Sequence, residues 1–249
     1  MAMDNGDTGS TFQDQVIEIQ GLTKAFGHHL ALRGLDLKIR QGEKVAILGP
    51  NGAGKTTLIK VLATIINITS GKVLITGLNP KDNAEEIRRQ IGVITHQTFL
   101  YGNLTANENL EFYGRMYDIP QRKKRINEVA DMVRMTPRLY DRVNTLSRGM
   151  QQRIAIARAL LHKPTILLLD EPETGLDPQA TSILWEILNV EREDKRTIFL
   201  TTHSLERVLE ISNRLLILNQ GKFAYEESGQ TLSLADLKQI YQHYSEIEV

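Results

Sequence analysis

The sequence predicts an α/β fold with a parallel, doubly wound sheet, and three observations support this prediction. A β-like run at 44–48 leads into a glycine-rich loop and then into a helical pattern at 57–63. The uninterrupted apolar run at 165–169 is typical of a strand buried on both faces of a parallel sheet. Helix and strand patterns then alternate, as right-handed crossovers require, at 178–192, 197–201, 205–212 and 214–219.

Local patterns predict the elements around this sheet. Alternating apolar residues indicate strands at 16–19 and 31–39, and a further hairpin-like strand follows at 71–76. A short charged helix is predicted at 84–90, and a turn at 220–221.

Between the two halves of the sheet, the stretch 104–144 changes character and is predicted to be helical throughout. Thr105 and Glu108 form a capping box at the start of its first helix. Pro120 is predicted to begin its second helix, because proline is favoured in a first turn. A capped helix from Ser233 closes the chain.

The glycine-rich loop at 49–56 fits the phosphate-binding pattern G-x-x-x-x-G-K-[ST] at every fixed position. Glycines let the backbone N–H groups curl toward phosphate oxygens, and the following helix directs its positive end to the same place. Lys55 is placed to reach the β- and γ-phosphates, and the Thr56 hydroxyl to ligate Mg²⁺. The predicted nucleotide-binding residues here are Gly49, Asn51, Gly52, Ala53, Gly54, Lys55, Thr56 and Thr57.

Two acidic residues end the apolar run at 165–169. A carboxylate at the carboxyl end of such a strand faces the ligand crevice of an open α/β sheet. Asp170 is therefore predicted to hold Mg²⁺, and Glu171 to act as the general base that orients and deprotonates the attacking water. The sequence thus predicts a site that binds and hydrolyses ATP.

A segment between these two halves resembles the signature of ABC-type ATPases: Leu-Ser-Arg-Gly-Met-Gln-Gln-Arg at 146–153. Further motifs of that family occur in order. Gln97 is similar to the Q-loop glutamine, 174–177 to the D-loop, and His203 to the switch histidine. Phe26 occupies the place of the aromatic residue that stacks on adenine. The sequence is identified as a member of this family on these ordered motifs.

The resemblance implies a phosphate-loop ATPase core with an antiparallel β subdomain and a helical subdomain. It implies that Gln97 contacts the metal and, with His203, assists Glu171 in hydrolysis. Ser147 and Gly149 are implied to contact the γ-phosphate of ATP bound to another subunit, and Asp177 to contact nucleotide. The expected partner is a second copy or a related ATPase, in a head-to-tail dimer driven by ATP.

Several of these residues have alternative interpretations. Phe26 is also explained as a core aromatic, Gln97 as a polar loop residue and His203 as a histidine packed at a helix start. Ser147 is also a helix N-cap, which itself favours an anion. The signature departs from the common Leu-Ser-Gly-Gly-Gln form at Arg148 and Met150, which puts the hydrolysis rate in question.

Composition and length limit the setting. The 249-residue chain has 30 basic and 30 acidic residues, so its net charge is zero and gives no general attraction to nucleic acid. It has no cysteine, which excludes disulfides and thiolate metal sites. No apolar run is long enough to cross a bilayer. The predicted organisation is a flexible tail at 1–14, one ATPase domain at 15–228 with the helical subdomain inserted at about 104–146, and a C-terminal helix at 229–249.

The function that the resemblance implies is the ATP-hydrolysing subunit of a transporter, cytoplasmic and peripheral on the inner face of the cell membrane. It would power export through separate integral membrane subunits. The loop at 95–105, with Glu108-Asn109-Leu110 and the Leu-Ser-Arg-Gly-Met form, is similar to haem exporters of cytochrome c biogenesis, and drug or polysaccharide exporters share much of this pattern. The alternative is a soluble ABC ATPase that acts on nucleic acid or as an assembly factor, although only the basic run at 122–125 favours nucleic acid.

Overall fold

A computed structural model describes residues 15–174, 176–190, 196–229 and 232–246. The tail predicted at 1–14 lies outside the described residues. The strands within these ranges are β1 (Gln15–Phe26), β2 (His29–Arg40), β3 (Lys44–Leu48), β4 (Ser70–Ile75), β5 (Ile91–Thr95), β6 (Ile166–Asp170), β7 (Thr197–Thr201), β8 (Arg214–Asn219) and β9 (Lys222–Ser228). The α-helices are α1 (Lys55–Leu62), α2 (Ala84–Arg88), α3 (Ala106–Met116), α4 (Arg122–Met132), α5 (Arg148–Leu160), α6 (Pro178–Val190), α7 (Leu205–Ile211) and α8 (Leu234–Glu246).

The larger sheet has the strand order β5-β6-β7-β3-β8-β9. All neighbours from β5 to β8 pair in parallel, and β9 pairs antiparallel with β8 at one edge. Every residue of β6 and β7 is buried, because helices cover both faces of the centre of the sheet. The predicted α/β fold with a parallel sheet is confirmed.

A smaller antiparallel sheet has the order β2-β1-β4. Ile17 of β1 pairs with Ile39 of β2 on one side and Ile75 of β4 on the other, and all three are buried. Their faces join the core formed by α1 and the near face of the larger sheet. This is the antiparallel β layer that the resemblance implied.

Alternate residues of the central strands serve different cores. Leu167 of β6 packs with the helices α3, α4 and α5, whose buried residues include Leu110, Val129 and Ile154. The next residue, Leu168, points to the opposite face and packs with α1 and the antiparallel sheet. The period of two along each strand therefore fixes which layer each side chain stabilises.

The stretch 104–144 is not helical throughout. Its first helix begins as predicted, since the Thr105 Oγ1 accepts from the Glu108 N–H and the Glu108 carboxylate accepts from the Thr105 N–H. The second helix begins at Arg122 and not at Pro120, because Gln121 adopts a left-handed conformation with φ 50°. Two short 3₁₀ turns, at 136–138 and 143–145, follow α4.

Two strands also differ from the sequence patterns. β9 was not predicted, and it completes a hairpin with β8 through the predicted turn at 220–221. β5 ends at Thr95, so Gln97 lies in the loop beyond it and not at the strand end. In the part of the chain that is described, no helix is both long and apolar enough to cross a membrane.

His162, two residues beyond α5, contacts Tyr117 at the end of α3 and Ile91 in β5. Its ring stacks on Tyr117, with the centroids 4.1 Å apart and the planes 12° from parallel. Its Nε2 lies 3.0 Å from the backbone oxygen of Ile91, which indicates a neutral ring donating there. Burial is the main cause that lowers the pKa of His162 to about 4.

This lowered pKa makes stability fall in acid. The unfolded chain protonates His162 as the pH drops below 6.5, whereas the folded chain does so only near pH 4. The free energy of unfolding should therefore decrease across that window, by about 2 kcal/mol at about pH 5 relative to about pH 7.5. Urea unfolding followed by the fluorescence of Trp185, the sole tryptophan, measures it.

His162→Gln should remove most of this pH dependence, because glutamine can donate to Ile91 without titrating. His96→Gln, at an exposed histidine, is the matched control and should keep it. An unaltered pH profile in His162→Gln would contradict the assignment.

Candidate functional site

The phosphate loop lies between β3 and α1 and is shaped by close backbone contacts. A Cβ on Gly49 would overlap the carbonyl oxygen of Leu218, and one on Gly54 would lie 2.6 Å from that of Ala31. Gly54 also has φ +109°, which a residue with a side chain rarely adopts. Glycine is therefore required at both positions for the loop to close onto the end of the sheet.

Lys55 holds the loop together from inside. Its Nζ donates to the backbone oxygens of Gly49 at 2.7 Å and Pro50 at 3.1 Å. It also lies 3.7 Å from Oε1 of Glu171. Burial lowers the pKa of Lys55, although Glu171 and Asp170 act in the opposite direction. The ammonium group is thus in a place where additional negative charge would be favourable.

Asp170 lies at the carboxyl end of β6, beside the loop. Its Oδ1 is 3.2 Å from Oγ1 of Thr56, which donates to it, and it accepts a second hydrogen bond of 2.8 Å from Oγ1 of Thr201. The side chains of Asp170 and Thr201 are buried. Thr201 was not among the predicted site residues. The available signal was its place at the carboxyl end of β7, directly opposite Asp170 in the sheet.

Glu171 is held by contacts on both its backbone and its side chain. Its N–H donates to the backbone oxygen of Thr201 at 3.0 Å, and its φ is +45°, in the left-handed region. Its Oε1 lies 2.6 Å from Nε2 of His203, which follows β7. The structure therefore brings Lys55, Glu171 and His203 into one row of contacts, although they are far apart in the sequence.

Lys55 and Glu171 of this row line a cavity of about 270 Å³. Its walls include Phe26, which is 51% exposed, so its interpretation as a core aromatic is wrong. His29 and Ala31 line the same wall and were not predicted. The lining residues are Phe26, His29, Ala31, Asn51, Gly52, Ala53, Gly54, Lys55, Thr56, Thr57 and Glu171.

Gln97 stands outside this cavity. Its side chain is exposed, and its backbone N–H donates to Oγ1 of Thr95 at 3.0 Å. Thr95 pairs with Asp170 in the register of β5 and β6. Gln97 is thus placed two residues beyond a strand end that adjoins Asp170, without lining the cavity itself.

Ser147 and Gly149 of the signature lie at the start of α5, where Gly149 contacts Asp177 of the D-loop. Ser147 caps α5 by accepting from the Met150 N–H at 3.2 Å, so its predicted capping role is confirmed. Gly149 is packed so closely against the carboxylate of Asp177 that a Cβ would overlap it. Asp177 in turn accepts from the Ala180 N–H at 2.7 Å, in the first turn of α6. None of Ser147, Gly149 and Asp177 lines the cavity that holds Lys55.

Comparison with known proteins decides the family. A model of the ABC transporter family matches residues 32–174, more than half of the 249-residue chain. The chain belongs to the ABC transporter family. It is an ATP-binding subunit of this family and an ATP hydrolase.

Relatives of this ABC ATPase include the linearmycin resistance ATP-binding protein LnrL of Bacillus subtilis (strain 168). It is 35% identical over 209 residues, which cover 83% of this chain and 67% of LnrL. The bacitracin transport ATP-binding protein BcrA of Bacillus licheniformis is 38% identical over 212 residues, covering 85% of this chain and 69% of BcrA.

Solved structures of ABC ATPases share the fold. An ATP-binding subunit of an ABC transporter superposes with a TM-score of 0.82 at 28% identity, covering 91% of this chain and 99% of that one. The ATP-binding cassette MJ0796, in a dimeric post-hydrolysis state with ADP and Pi, gives a TM-score of 0.77 at 32% identity, covering 85% and 98%.

Replacing Lys55 tests the cavity as the nucleotide site. Lys55→Ala should weaken ATP binding about 100-fold, because the phosphates lose a charged donor. Titration with a fluorescent ATP analogue measures this. Lys60→Ala, at an exposed lysine of the same helix α1, is the matched control and should bind as the wild type does. Equal affinity in the two variants would show that ATP binds elsewhere.

Proposed function

We propose that this ABC ATPase hydrolyses ATP to power export through separate membrane subunits, at the cytoplasmic face of the cell membrane. The observation that carries the hydrolytic part is the row of contacts Lys55–Glu171–His203, of which Lys55 and Glu171 line the cavity. The export direction is supported by the names of relatives. These include a Nod factor export ATP-binding protein I of Cupriavidus metallidurans, 34% identical over 83% of this chain and 69% of that protein.

Mg²⁺ fits the oxygen atoms at the carboxyl end of β6. Thr56 Oγ1 and Asp170 Oδ1 are 3.2 Å apart, and hard oxygen donors are those that Mg²⁺ prefers. We assign Thr56 and Asp170 as its protein ligands, with Gln97 as a further oxygen donor from the adjoining loop. When bound, the metal would neutralise phosphate charge. Thr201 keeps Asp170 oriented through its 2.8 Å hydrogen bond.

Glu171 is the proposed general base. The water oxygen forms a bond to the γ-phosphorus while its proton passes to the Glu171 carboxylate, and the bond between the γ-phosphorus and the bridging oxygen breaks to release ADP. His203 holds Oε1 of Glu171 at 2.6 Å and so fixes the direction of the carboxylate. Lys55 supplies positive charge to the phosphate oxygens, while Phe26 offers its exposed ring to the adenine.

The signature residues are proposed to act on the site of a second subunit. None of Ser147, Gly149 and Asp177 lines the cavity around Lys55, so a nucleotide bound there would lack these residues within one subunit. In a head-to-tail dimer, the capped N-terminus of α5 would face the partner's γ-phosphate. The partner is a second copy or a related ATPase. Two solved structures of the related cassette MJ0796 are dimeric, which supports the formation of a dimer.

Glu171→Gln separates binding from turnover. The variant should still bind Mg-ATP, but hydrolysis should fall at least about 100-fold because the amide cannot accept the proton. Trapped in the ATP state, it should form a dimer of twice the 28.1 kDa monomer mass in light scattering. Glu86→Gln, at an exposed glutamate of α2, is the control and should remain active. Wild-type turnover would remove Glu171 from the base role, and a persistent monomer would contradict the dimer.

An exposed apolar patch between the Gln97 loop and α3 is the proposed docking surface for the membrane subunits. Phe99, Tyr101, Phe112 and Met116 are each between 43% and 52% exposed. The rings of Tyr101 and Phe112 meet edge to face with their centroids 5.3 Å apart. Large apolar side chains grouped in this way mark an interaction site, and this one adjoins the loop that carries Gln97.

A pull-down from solubilised membranes of the host tests this docking patch. Glu171→Gln protein held with Mg-ATP should recover a multi-span membrane protein, identified by mass. Adding Tyr101→Ser and Phe112→Ser should abolish that recovery, because the apolar contact area is lost. Ile65→Ser, at an exposed apolar residue after α1, is the matched control and should retain it. Recovery of only soluble protein or nucleic acid would favour the assembly-factor alternative.

Haem export for cytochrome c biogenesis is the narrower candidate, and it rests on the loop 95–105 and its neighbours. In the structure these residues have a local role. Asn109 is buried and clamps the loop, accepting from the Tyr101 N–H at 2.8 Å and donating to the Tyr101 oxygen at 3.1 Å. The role of Asn109 in shaping the loop therefore accounts for this residue without reference to cargo. Haem absorbance in the recovered complex is the observation that would support this candidate.

The nucleic-acid alternative loses its main support in the sequence. Of the basic run, Arg122 pairs with Glu111 at 3.1 Å, and Arg125 donates to the backbone oxygens of Leu160 and Leu161. Only the middle two lysines of the run are exposed. Two lysines do not form the extended basic surface that a phosphate backbone requires.

A further inference from the structure

Arg158 is a charged residue of α5 that contacts β5, and the reaction described above does not use it. Its Nη2 donates to the backbone oxygen of Val93 in β5 at 2.9 Å. Its Nε is buried and has no hydrogen-bond partner among the described residues. Burial is the main cause that lowers the pKa of Arg158, and the groups that oppose it are tyrosines and not carboxylates. A guanidinium buried without an acidic partner must be held by other contacts.

Two aromatic rings supply those contacts. The guanidinium carbon lies 5.5 Å from the centroid of the Phe99 ring and 5.3 Å from that of Tyr113. Tyr113 belongs to α3, and its hydroxyl donates to the backbone oxygen of Phe99 at 2.6 Å. Arg158 and Tyr113 therefore hold both the ring and the backbone of Phe99.

The backbone conformation of Phe99 depends on such contacts. Its φ is +53°, in the left-handed region that a bulky side chain rarely adopts. Strained backbone of this kind persists only where surrounding contacts determine it, and it often occurs at functional segments. In the sequence, Phe99 lies between Gln97, which is the proposed metal ligand, and Tyr101, which belongs with Phe99 to the docking patch.

We propose that Arg158 is a positioning residue that keeps Phe99 in its left-handed conformation and so sets the path of the loop 97–101. Through this loop it aligns Gln97 for hydrolysis and connects the ATP site with the docking patch. The connection to the docking patch rests on the proposed function, whereas the control of Phe99 does not.

Two variants test the positioning role on the purified full chain. Arg158→Lys keeps the charge but lacks the planar group that faces both rings, and Arg158→Met keeps only the length. Each should raise the rate of chymotrypsin cleavage after Tyr101 about tenfold, because the loop opens more often without the cation–π contacts. Basal kcat should fall by about the same factor, while KM for ATP changes less than about twofold. Arg115→Met, at an exposed arginine of α3, is the control and should match the wild type.

A double-mutant comparison distinguishes positioning from general destabilisation. If Arg158 acts through the Phe99 ring, Phe99→Ala alone should raise cleavage after Tyr101, and adding Arg158→Lys should cause no further change. Wild-type cleavage and kcat in Arg158→Lys, or additive effects in the double variant, would overturn the proposal. Unchanged membrane-protein recovery by the protein that also carries Tyr101→Ser and Phe112→Ser, with these results intact, would instead count against the docking patch alone.

Discussion

The register of three adjacent parallel strands is the constraint on which the rest of the site depends. β6, β7 and β3 are neighbours in the sheet, and their carboxyl ends meet at one edge. β6 ends with Asp170 and is followed by Glu171, His203 lies just beyond β7, and the phosphate loop follows β3. Because Asp170 pairs with Thr201, and Thr201 with Ile47, these groups reach one another without long loops. A one-residue slip of β6 would turn Asp170 to the opposite face and separate it from Thr56.

The electrostatics at the carboxyl ends of these strands favour the binding of a polyanion. The pKa of Lys55 is lowered although two carboxylates oppose the shift, so burial outweighs the attraction that Glu171 and Asp170 provide. The protein thus leaves part of the cost of burying the ammonium uncompensated. Phosphate oxygens would supply the missing negative charge, and they would compete with the backbone oxygens of Gly49 and Pro50 for its donors.

The sequence was sufficient for elements whose signals are local. β7 and β8 have the predicted bounds, because continuous apolar runs specify buried strands. β9 was missed, since none of its residues is fully buried and its pattern is that of a half-exposed edge. Thr201 and Arg158 were missed for a different reason. A buried threonine at a strand end, or an arginine within a helix, acquires its role only from partners that the fold brings near.

In the proposed dimer, α5 connects the ATP site of the partner with the Gln97 loop of its own subunit. Its N-terminus presents Ser147, which would act on the partner's nucleotide. Further along the helix, the buried Gln152 donates to the backbone oxygen of Thr95 at 2.6 Å. Arg158 donates to Val93 of the same strand and lies against the ring of Phe99. A displacement of α5 toward a partner would therefore pull directly on the end of β5, from which the Gln97 loop departs. A rigid helix held at these points can transmit closure at one ATP site to the docking patch.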